Sequence, residues 1–160
     1  TICLVGSEMC IRDRYIDRNM YIDIQDLKED YIFPASEHAP ITRTMLALYA
    51  GASGDHNPIH IDIDFAKKAG LNDVIAHGML IMSMASKSLT DIFYHEHIKE
   101  IDVKFVSITR IGDRPIFNAS VLRKKIHKNK RLLDLKITIS DQNGDIKLDG
   151  TAKIELSDES

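Results

Sequence analysis

Cysteine and tryptophan are scarce in this chain, which has two cysteines and no tryptophan among its 160 residues. Both cysteines, Cys3 and Cys10, lie near the N-terminus, and no CxxC pair occurs. The sequence therefore offers neither a disulfide framework nor a cysteine-rich zinc motif. A convincing signal peptide is also lacking, and together these features favour a cytoplasmic protein.

Long apolar runs and an excess of one charge are lacking as well. The most apolar region, residues 74–85, contains His77 and Ser83 and is shorter than the roughly 20 apolar residues of a spanning helix. Lys and Arg number 21 against 24 Asp and Glu, a net charge of −3. We therefore expect neither a nucleic acid nor a membrane as a partner. With only eight glycines and four prolines, the composition is typical of one globular domain.

Residues 1–14 differ in character from the rest of the chain. Residues 9–14, MCIRDR, are what the DNA of a transposon-end sequencing adapter encodes, and the residues before them continue that adapter. We therefore expect residues 1–14 to be a non-native tail and residues 15–160 to form one domain. The alternative is a native terminus with a short strand. No repeat or linker interrupts residues 15–160.

Apolar residues at helical spacing predict a first helix over residues 41–52. Pro40 or Thr42 marks its start, and Gly51 and Gly54 are expected to stop it. The helix would carry one apolar face, so it should pack on the surface of a core.

Two further helices follow. A short one over residues 64–68, capped by Asp62 or Asp64, should direct Phe65 inward. A long one over residues 77–93 is apolar nearly all round, which predicts a helix buried on most sides.

After the long helix the apolar pattern changes to alternation, which predicts strands. Short turns separate the alternating segments, so the strands should form an antiparallel sheet around the long helix, an α+β arrangement. The Asn143-Gly144 pair predicts a tight type I′ hairpin. The segments lie around residues 101–105, 116–120, 133–139 and 146–156.

Two separated motifs carry the chemistry. Residues 53–62 read SGDHNPIHID, and residues 75–80 read IAHGML. Together they resemble the (R)-specific enoyl-CoA hydratases and MaoC-like dehydratases, whose core motif is S-G-D-x-N-P-[LIV]-H-x-D. With Gly112-Asp113, similar to a turn of that family, the resemblance covers residues 32–156. It implies a hot-dog fold, a long central helix wrapped by an antiparallel sheet.

The resemblance also implies an activity. The expected reaction is the reversible interconversion of a trans-2-enoyl-CoA and its (R)-3-hydroxyacyl-CoA, with no metal or redox cofactor. The expected partners are an acyl-CoA or acyl-carrier-protein thioester and a second copy of the chain, although a heterodimer with another hot-dog protein is an alternative.

The motif residues suit this chemistry on their own account. Adding water across an unsaturated thioester needs a base, an acid and donors for the enolate oxygen. Asp55 and His60 supply the two proton carriers, and Asn57-Pro58 between them forces a turn that aims both at one water. Gly78, at the start of the long helix, offers a backbone N–H to the oxyanion.

The remaining motif positions are expected to support the site. By resemblance Ser86 is a polar helper, but bonding within its own helix is equally compatible with a serine there. The supporting residues are Ser53, Gly54, Asn57, Pro58, Asp62 and His77.

Two other segments resemble metal sites. His56, His60, His77 and Asp62 could ligate a metal, but Pro58 breaks the helix that would align the histidines. Residues 141–145 begin like a calcium loop, but their Gly is misplaced and no Glu follows at the required distance, so a hairpin is favoured.

Two clusters of basic residues are expected to be surface features. One is a hairpin that could contact coenzyme A phosphates but is better explained as a solvated strand end. The other, His95 and His97, should mark the exposed end of the long helix. The hairpin's basic residues are Arg123, Lys124, Lys125, Lys128, Lys130 and Arg131.

Two other functions remain open. One is a non-catalytic hot-dog subunit, which would typically lack Asp55 or His60. The other is a hot-dog thioesterase, in which water attacks the carbonyl, and the intact motif argues against it.

Overall fold

A computed structural model describes residues 27–127 and 130–157, so the expected tail of residues 1–14 lies outside the described residues. The helices are α1 (Arg43–Ser53), α2 (Ile63–Lys68) and α3 (Gly78–Ile92). The strands are β1 (Ser36–Glu37), β2 (Ile98–Phe105), β3 (Ile116–His127), β4 (Lys130–Ser140) and β5 (Ile146–Ser157). Two 3-10 turns are formed by Pro58–His60 and His95–His97.

The strands form one antiparallel sheet in the order β1-β3-β4-β5-β2. Hairpins join β3 to β4 and β4 to β5, and β2 pairs along β5 from Ile98 to Phe105. The four predicted strands and the hot-dog arrangement are therefore confirmed, and the short β1 is an addition.

The core lies between α3 and one face of the sheet. Alternate residues of the long strands point toward the helix, since successive side chains in a strand face opposite ways. Burying these side chains is the main force that holds sheet and helix together. The core includes Leu80, Ile81, Ala85 and Leu89 of α3, and Phe117, Val121, Leu135, Ile137, Leu148 and Ile154 of the sheet.

The prediction that the long helix is buried on most sides is wrong for the single chain. Met79 is 55% exposed, and Ser83 and Lys87 are also exposed. Phe65, expected to point inward, is likewise exposed, and Ala66 is the buried residue of α2. Both predictions failed for the same reason. An apolar side chain is stabilised by burial, but its sequence position does not say whether another segment covers it.

The ends of α1 follow from its caps. Thr42 Oγ1 accepts the backbone N–H of Met45 at 3.1 Å, which starts the helix where predicted. Gly54, with φ of 75°, ends the helix, whereas Gly51 lies inside it and does not stop it.

The β4–β5 hairpin is present, but its turn is not type I′. Asn143 does not have the positive φ that this turn requires, while Gly144 has φ of 87°. The N–H of Gly144 donates to Asp141 O at 3.0 Å, and the side chain of Asp141 accepts the N–H groups of Asn143 and Asp145. The turn therefore needs one left-handed residue, and Asp141 stabilises it from within.

None of the helices in residues 27–127 and 130–157 is long and apolar enough to cross a membrane.

Candidate active site

The loop after α1 is shaped by its own polar side chains. Ser53 Oγ accepts the N–H of Asp55 at 3.2 Å, and Asp55 Oδ1 accepts the N–H of Asn57 at 3.3 Å. Asn57 Oδ1 then accepts the N–H of Ile59 at 3.2 Å. Each side chain bonds the backbone two residues ahead, so the motif folds as consecutive local turns.

The second half of the motif brings His60 back toward the fold. Asn57 has ψ of 121°, outside the α region as the following proline requires, and Pro58 begins the 3-10 turn that ends at His60. Asp62 Oδ1 accepts the N–H groups of Asp64 and Phe65 and so caps α2. Asp62 is thereby explained as a helix cap.

The tautomer of neutral His60 follows from its partner. Its Nδ1 lies 2.8 Å from the carbonyl oxygen of Ile75, an acceptor only, so Nδ1 carries the proton and donates. This leaves Nε2 as the nitrogen that can exchange a proton with a bound molecule.

His77, which immediately precedes α3, connects the two motif side chains. Its Nε2 donates to the backbone oxygen of Asp55 at 3.1 Å, and its ring stacks on that of His60 with centroids 3.8 Å apart. The Tyr49 ring also packs against the His77 ring, with centroids 4.9 Å apart. His77 is 1% exposed, and burial lowers its pKa, an effect increased by His60 and opposed by the hydrogen bond to Asp55. A neutral ring is therefore favoured in the stack.

The fold brings together Asp55, His60 and His77, whose carboxylate oxygen and ring nitrogens lie within 4.8 Å of one another. His56 and Asp62, the other candidate metal ligands in the sequence, do not belong to this group. The three residues present could offer a metal one carboxylate and two imidazoles. However, rings stacked at 28° place a shared ion out of the plane of both imidazoles, so these stacked rings fit a metal poorly.

Gly78 is the first residue of α3, where backbone N–H groups have no partner within the helix. The Phe105 ring lies 3.3 Å from the position that a Cβ on residue 78 would occupy. A side chain at residue 78 would therefore press on Phe105 and fill the space beside the helix N-terminus.

A pocket of about 370 Å³ is bounded in part by His60, Gly78 and Phe105. Most of its wall is apolar, and its polar side chains include those of His60 and Lys147. The lining includes His60, Gly78, Ile81, Phe105, Ile108 and Lys147. The pocket thus combines one proton carrier and the helix N-terminus with a surface that suits an acyl group.

Ser86 and the basic hairpin do not join the site. Ser86 Oγ donates to Met82 O at 3.0 Å, which is the within-helix alternative. Lys128 lies outside the described residues. The other basic residues of the hairpin lie at the far end of the sheet, because Lys130 and Ser140 are ten residues apart on β4, about 33 Å at the rise of a strand. Ser140 pairs with Ile146, next to the pocket residue Lys147. The hairpin is therefore a strand end distant from this pocket.

One lining residue, Lys147, gave no signal in the sequence. Alternation along β5 places Lys147 on the face opposite Leu148, which predicts exposure, yet Lys147 is 3% exposed. Ile139 pairs with Leu148 and Ser140 with Ile146, so Lys147 is the extra residue of a β-bulge. A bulge depends on the register of two strands and is not visible in the alternation of one.

A sequence profile of the MaoC like domain matches residues 29–142. This chain belongs to the family of MaoC-like domains. The match includes both motifs and most of the sheet, so the resemblance inferred from residues 53–62 and 75–80 is confirmed.

Two plant relatives of this MaoC-like chain are named as dehydratases. A mitochondrial 3-hydroxyacyl-acyl-carrier-protein dehydratase of Arabidopsis thaliana is 32% identical over 85 residues, which are 53% of this chain and 51% of that protein. A mitochondrial counterpart from Solanum lycopersicum is 28% identical over 68% of this chain and 66% of its own length. The chain thus spans about half to two thirds of these plant relatives.

The MaoC-like fold is matched by solved structures. The R-hydratase PhaJ1 from Pseudomonas aeruginosa aligns with a TM-score of 0.73 at 26% identity, covering 84% of this chain and 85% of that chain. A MaoC-like dehydratase from Rhodospirillum rubrum aligns with a TM-score of 0.74 at 19% identity, covering 84% of this chain and 95% of that one. The helix and sheet described above are therefore a MaoC-like hot-dog domain.

Proposed function

We propose that this chain is a hydro-lyase that reversibly adds water to a trans-2-enoyl thioester to give the (R)-3-hydroxyacyl thioester. The observation that carries the proposal is the convergence of Asp55 and His60, with side-chain ligand atoms within 4.8 Å, beside a pocket that Gly78 lines. Family membership supports the hydro-lyase class, and the R-hydratase named above supports the stereochemistry.

The proposed hydration proceeds by proton transfer between Asp55, His60 and one water. As the water oxygen bonds to the β-carbon, one of the pair removes a water proton and electron density moves to the thioester oxygen. The N–H of Gly78 stabilises that oxyanion at the positive end of α3. The α-carbon then takes a proton from the other member of the pair, and transfer of the removed water proton to that member restores both groups, so one water is added and no net proton is consumed.

Protein groups alone supply this chemistry, so we propose no metal or redox cofactor. The thioester carrier is either coenzyme A or an acyl-carrier protein, and the names of the plant relatives support the second. The experiment is to incubate the purified chain with crotonyl-CoA and with crotonyl-acyl-carrier protein, following loss of enoyl absorbance and the stereochemistry of the product. Formation of the (S) product, or no turnover of either substrate, would overturn the proposal.

A non-catalytic role is the second candidate. Asp55 is exposed and the pocket is open in the single chain, as in a subunit that needs a partner to complete its site. Activity that emerges only when a second hot-dog protein is added would favour this role. Release of free coenzyme A without hydration would instead indicate a thioesterase.

A further inference from the structure

Lys147 is a buried cation beside the pocket that the proposed reaction does not use. Its side chain is 3% exposed, and its Nζ lies 3.0 Å from Asp141 Oδ2 and 3.5 Å from Asp113 Oδ2. Burying an ammonium group is costly unless opposite charges compensate it. Two carboxylates provide that compensation here, so Lys147, Asp113 and Asp141 act as one ionic cluster.

Both carboxylates are fixed by the backbone as well as by Lys147. Asp141 accepts two N–H groups in the β4–β5 turn, and Asp113 Oδ2 accepts the N–H of Arg110 at 2.8 Å. Burial acts to raise the pKa of Asp141, but hydrogen bonds from Lys147 and from the turn amides hold it below its usual value. The cluster therefore joins the β4–β5 turn to the turn that follows Arg110.

The segment just before the turn that follows Arg110 forms one wall of the pocket. Residues 105–109 line the pocket, and their start is tied to the bulge because the N–H of Val106 donates to Lys147 O at 2.9 Å. Their end is tied to the segment before α3, since Ala76 N–H donates to Thr109 O at 2.9 Å and Ile75 bridges Arg110. Lys147 thus contacts this wall at two points. Its backbone oxygen binds the start of the wall at Val106, and its ammonium group binds Asp113 in the turn that follows the wall.

We infer that Lys147 is a positioning residue for substrate binding, which fixes residues 105–109 as the wall of the thioester pocket through Asp113 and Asp141. The β-bulge that turns Lys147 inward serves this purpose, because bulges re-aim side chains and often lie next to active sites. This inference rests on the proposed function for its substrate. A fixed wall contacts substrate and transition state alike, so its loss raises KM more than it changes kcat.

The test compares three variants at the cluster. Lys147→Met keeps the length of the side chain but removes the charge. Asp113→Asn keeps an acceptor for the Arg110 N–H and removes one of the two negative charges beside Lys147, so it should fold even if Lys147→Met does not. Lys147→Arg restores the cation. The matched control is Lys153→Met, also on β5, whose Nζ pairs with Glu100 at 2.8 Å on the exposed surface.

Two measurements decide the outcome. With crotonyl-CoA, KM should rise about tenfold in Lys147→Met and Asp113→Asn with kcat within about threefold, while Lys147→Arg recovers part of the loss and Lys153→Met matches wild type. Hydrogen exchange read by mass spectrometry should be faster over residues 105–113 in the first two variants only.

The contrary outcomes are distinct. A lower melting temperature with unchanged KM and unchanged exchange in the folded protein would show that the cluster only stabilises the fold. A wild-type chain that turns over neither thioester would refute the proposed function. Exchange over residues 105–113 would in that case still decide whether Lys147 fixes the wall.

Discussion

The imidazole of His77 stacks on that of His60 with centroids 3.8 Å apart while its Nε2 holds the backbone of Asp55. One buried side chain thus sets the position of both proposed proton carriers. Because His77 immediately precedes Gly78, the first residue of α3, the distance between Asp55 and His60 depends on where α3 begins.

Removing either proton carrier should abolish most of the activity. Asp55→Asn and His60→Gln should each lower hydration of crotonyl-CoA by at least about a hundredfold, the usual scale for a positioned acid or base. Circular dichroism should show an unchanged fold, since Asp55 is exposed and His60 only half-buried. Near-wild-type turnover in either variant would remove that residue from the mechanism.

Changing His77 should separate its two contacts. His77→Phe keeps a ring to stack on His60 but loses the hydrogen bond to Asp55, and His77→Gln keeps a donor but loses the ring. We expect each to lower kcat by at least about tenfold, because small displacements of reacting groups are costly. His97→Gln, which alters a half-buried ring next to Tyr94 and outside the site, is the control. Full kcat in both His77 variants would show that neither the hydrogen bond nor the stack is needed for activity.

Gly78→Ala should separate activity from stability. The added Cβ would lie 3.3 Å from the ring of Phe105, a side chain that needs to shift by only a few tenths of an ångström, so the fold should tolerate it. Turnover should fall because the methyl group occupies the approach to the N–H. Gly51→Ala in α1 meets nothing within 4 Å and should add about 0.5–1 kcal/mol of stability with unchanged turnover. Equal turnover in the two variants would contradict the role of Gly78.

Stability should fall as the solution becomes mildly acidic. Burial lowers the pKa of His38 and His77 from the usual 6.5, with Lys87 adding to the effect at His38 and His60 at His77. The pKa of each histidine is lower in the folded chain than in the unfolded chain, so the unfolded chain binds protons first as the solution is acidified. The free energy of unfolding is therefore at its full value above pH 6.5 and decreases as the pH falls through 6.5 toward the pKa values of the folded chain.

The measurement for that prediction is the melting temperature between about pH 7.5 and about pH 5.5. His38→Gln, which can keep a hydrogen bond to Ser88 Oγ in place of the 2.9 Å contact from His38 Nε2, should show a smaller decrease than wild type. A melting temperature that is constant or rises on acidification would be the opposite of the expected sign.

Two copies of the chain should associate. Within the described residues β2 pairs only with β5, and Met79, Phe105 and Val106 are exposed apolar side chains near the open pocket. A second copy would cover an edge strand and this apolar surface. Sedimentation at micromolar concentration should therefore give about twice the mass of the chain. A fully active monomer would exclude this arrangement.

The sequence by itself determined the features that depend on near neighbours. Thr42 and Gly54 fix the ends of α1, alternation fixes the strands, and the Asn57-Pro58 pair fixes the turn between Asp55 and His60. Each rests on a contact within a few residues or on a backbone restriction, so the local pattern is sufficient.

Only the tertiary structure decided the features that depend on distant partners. His77 reaches Asp55 across 22 residues, and Lys147 is buried because the register of β4 and β5 makes it a bulge facing Asp113 and Asp141. The exposure of Phe65 and of one face of α3 was likewise set by which surfaces met. Burial and strand pairing each depend on two segments, so they cannot be predicted from the periodicity of one segment alone.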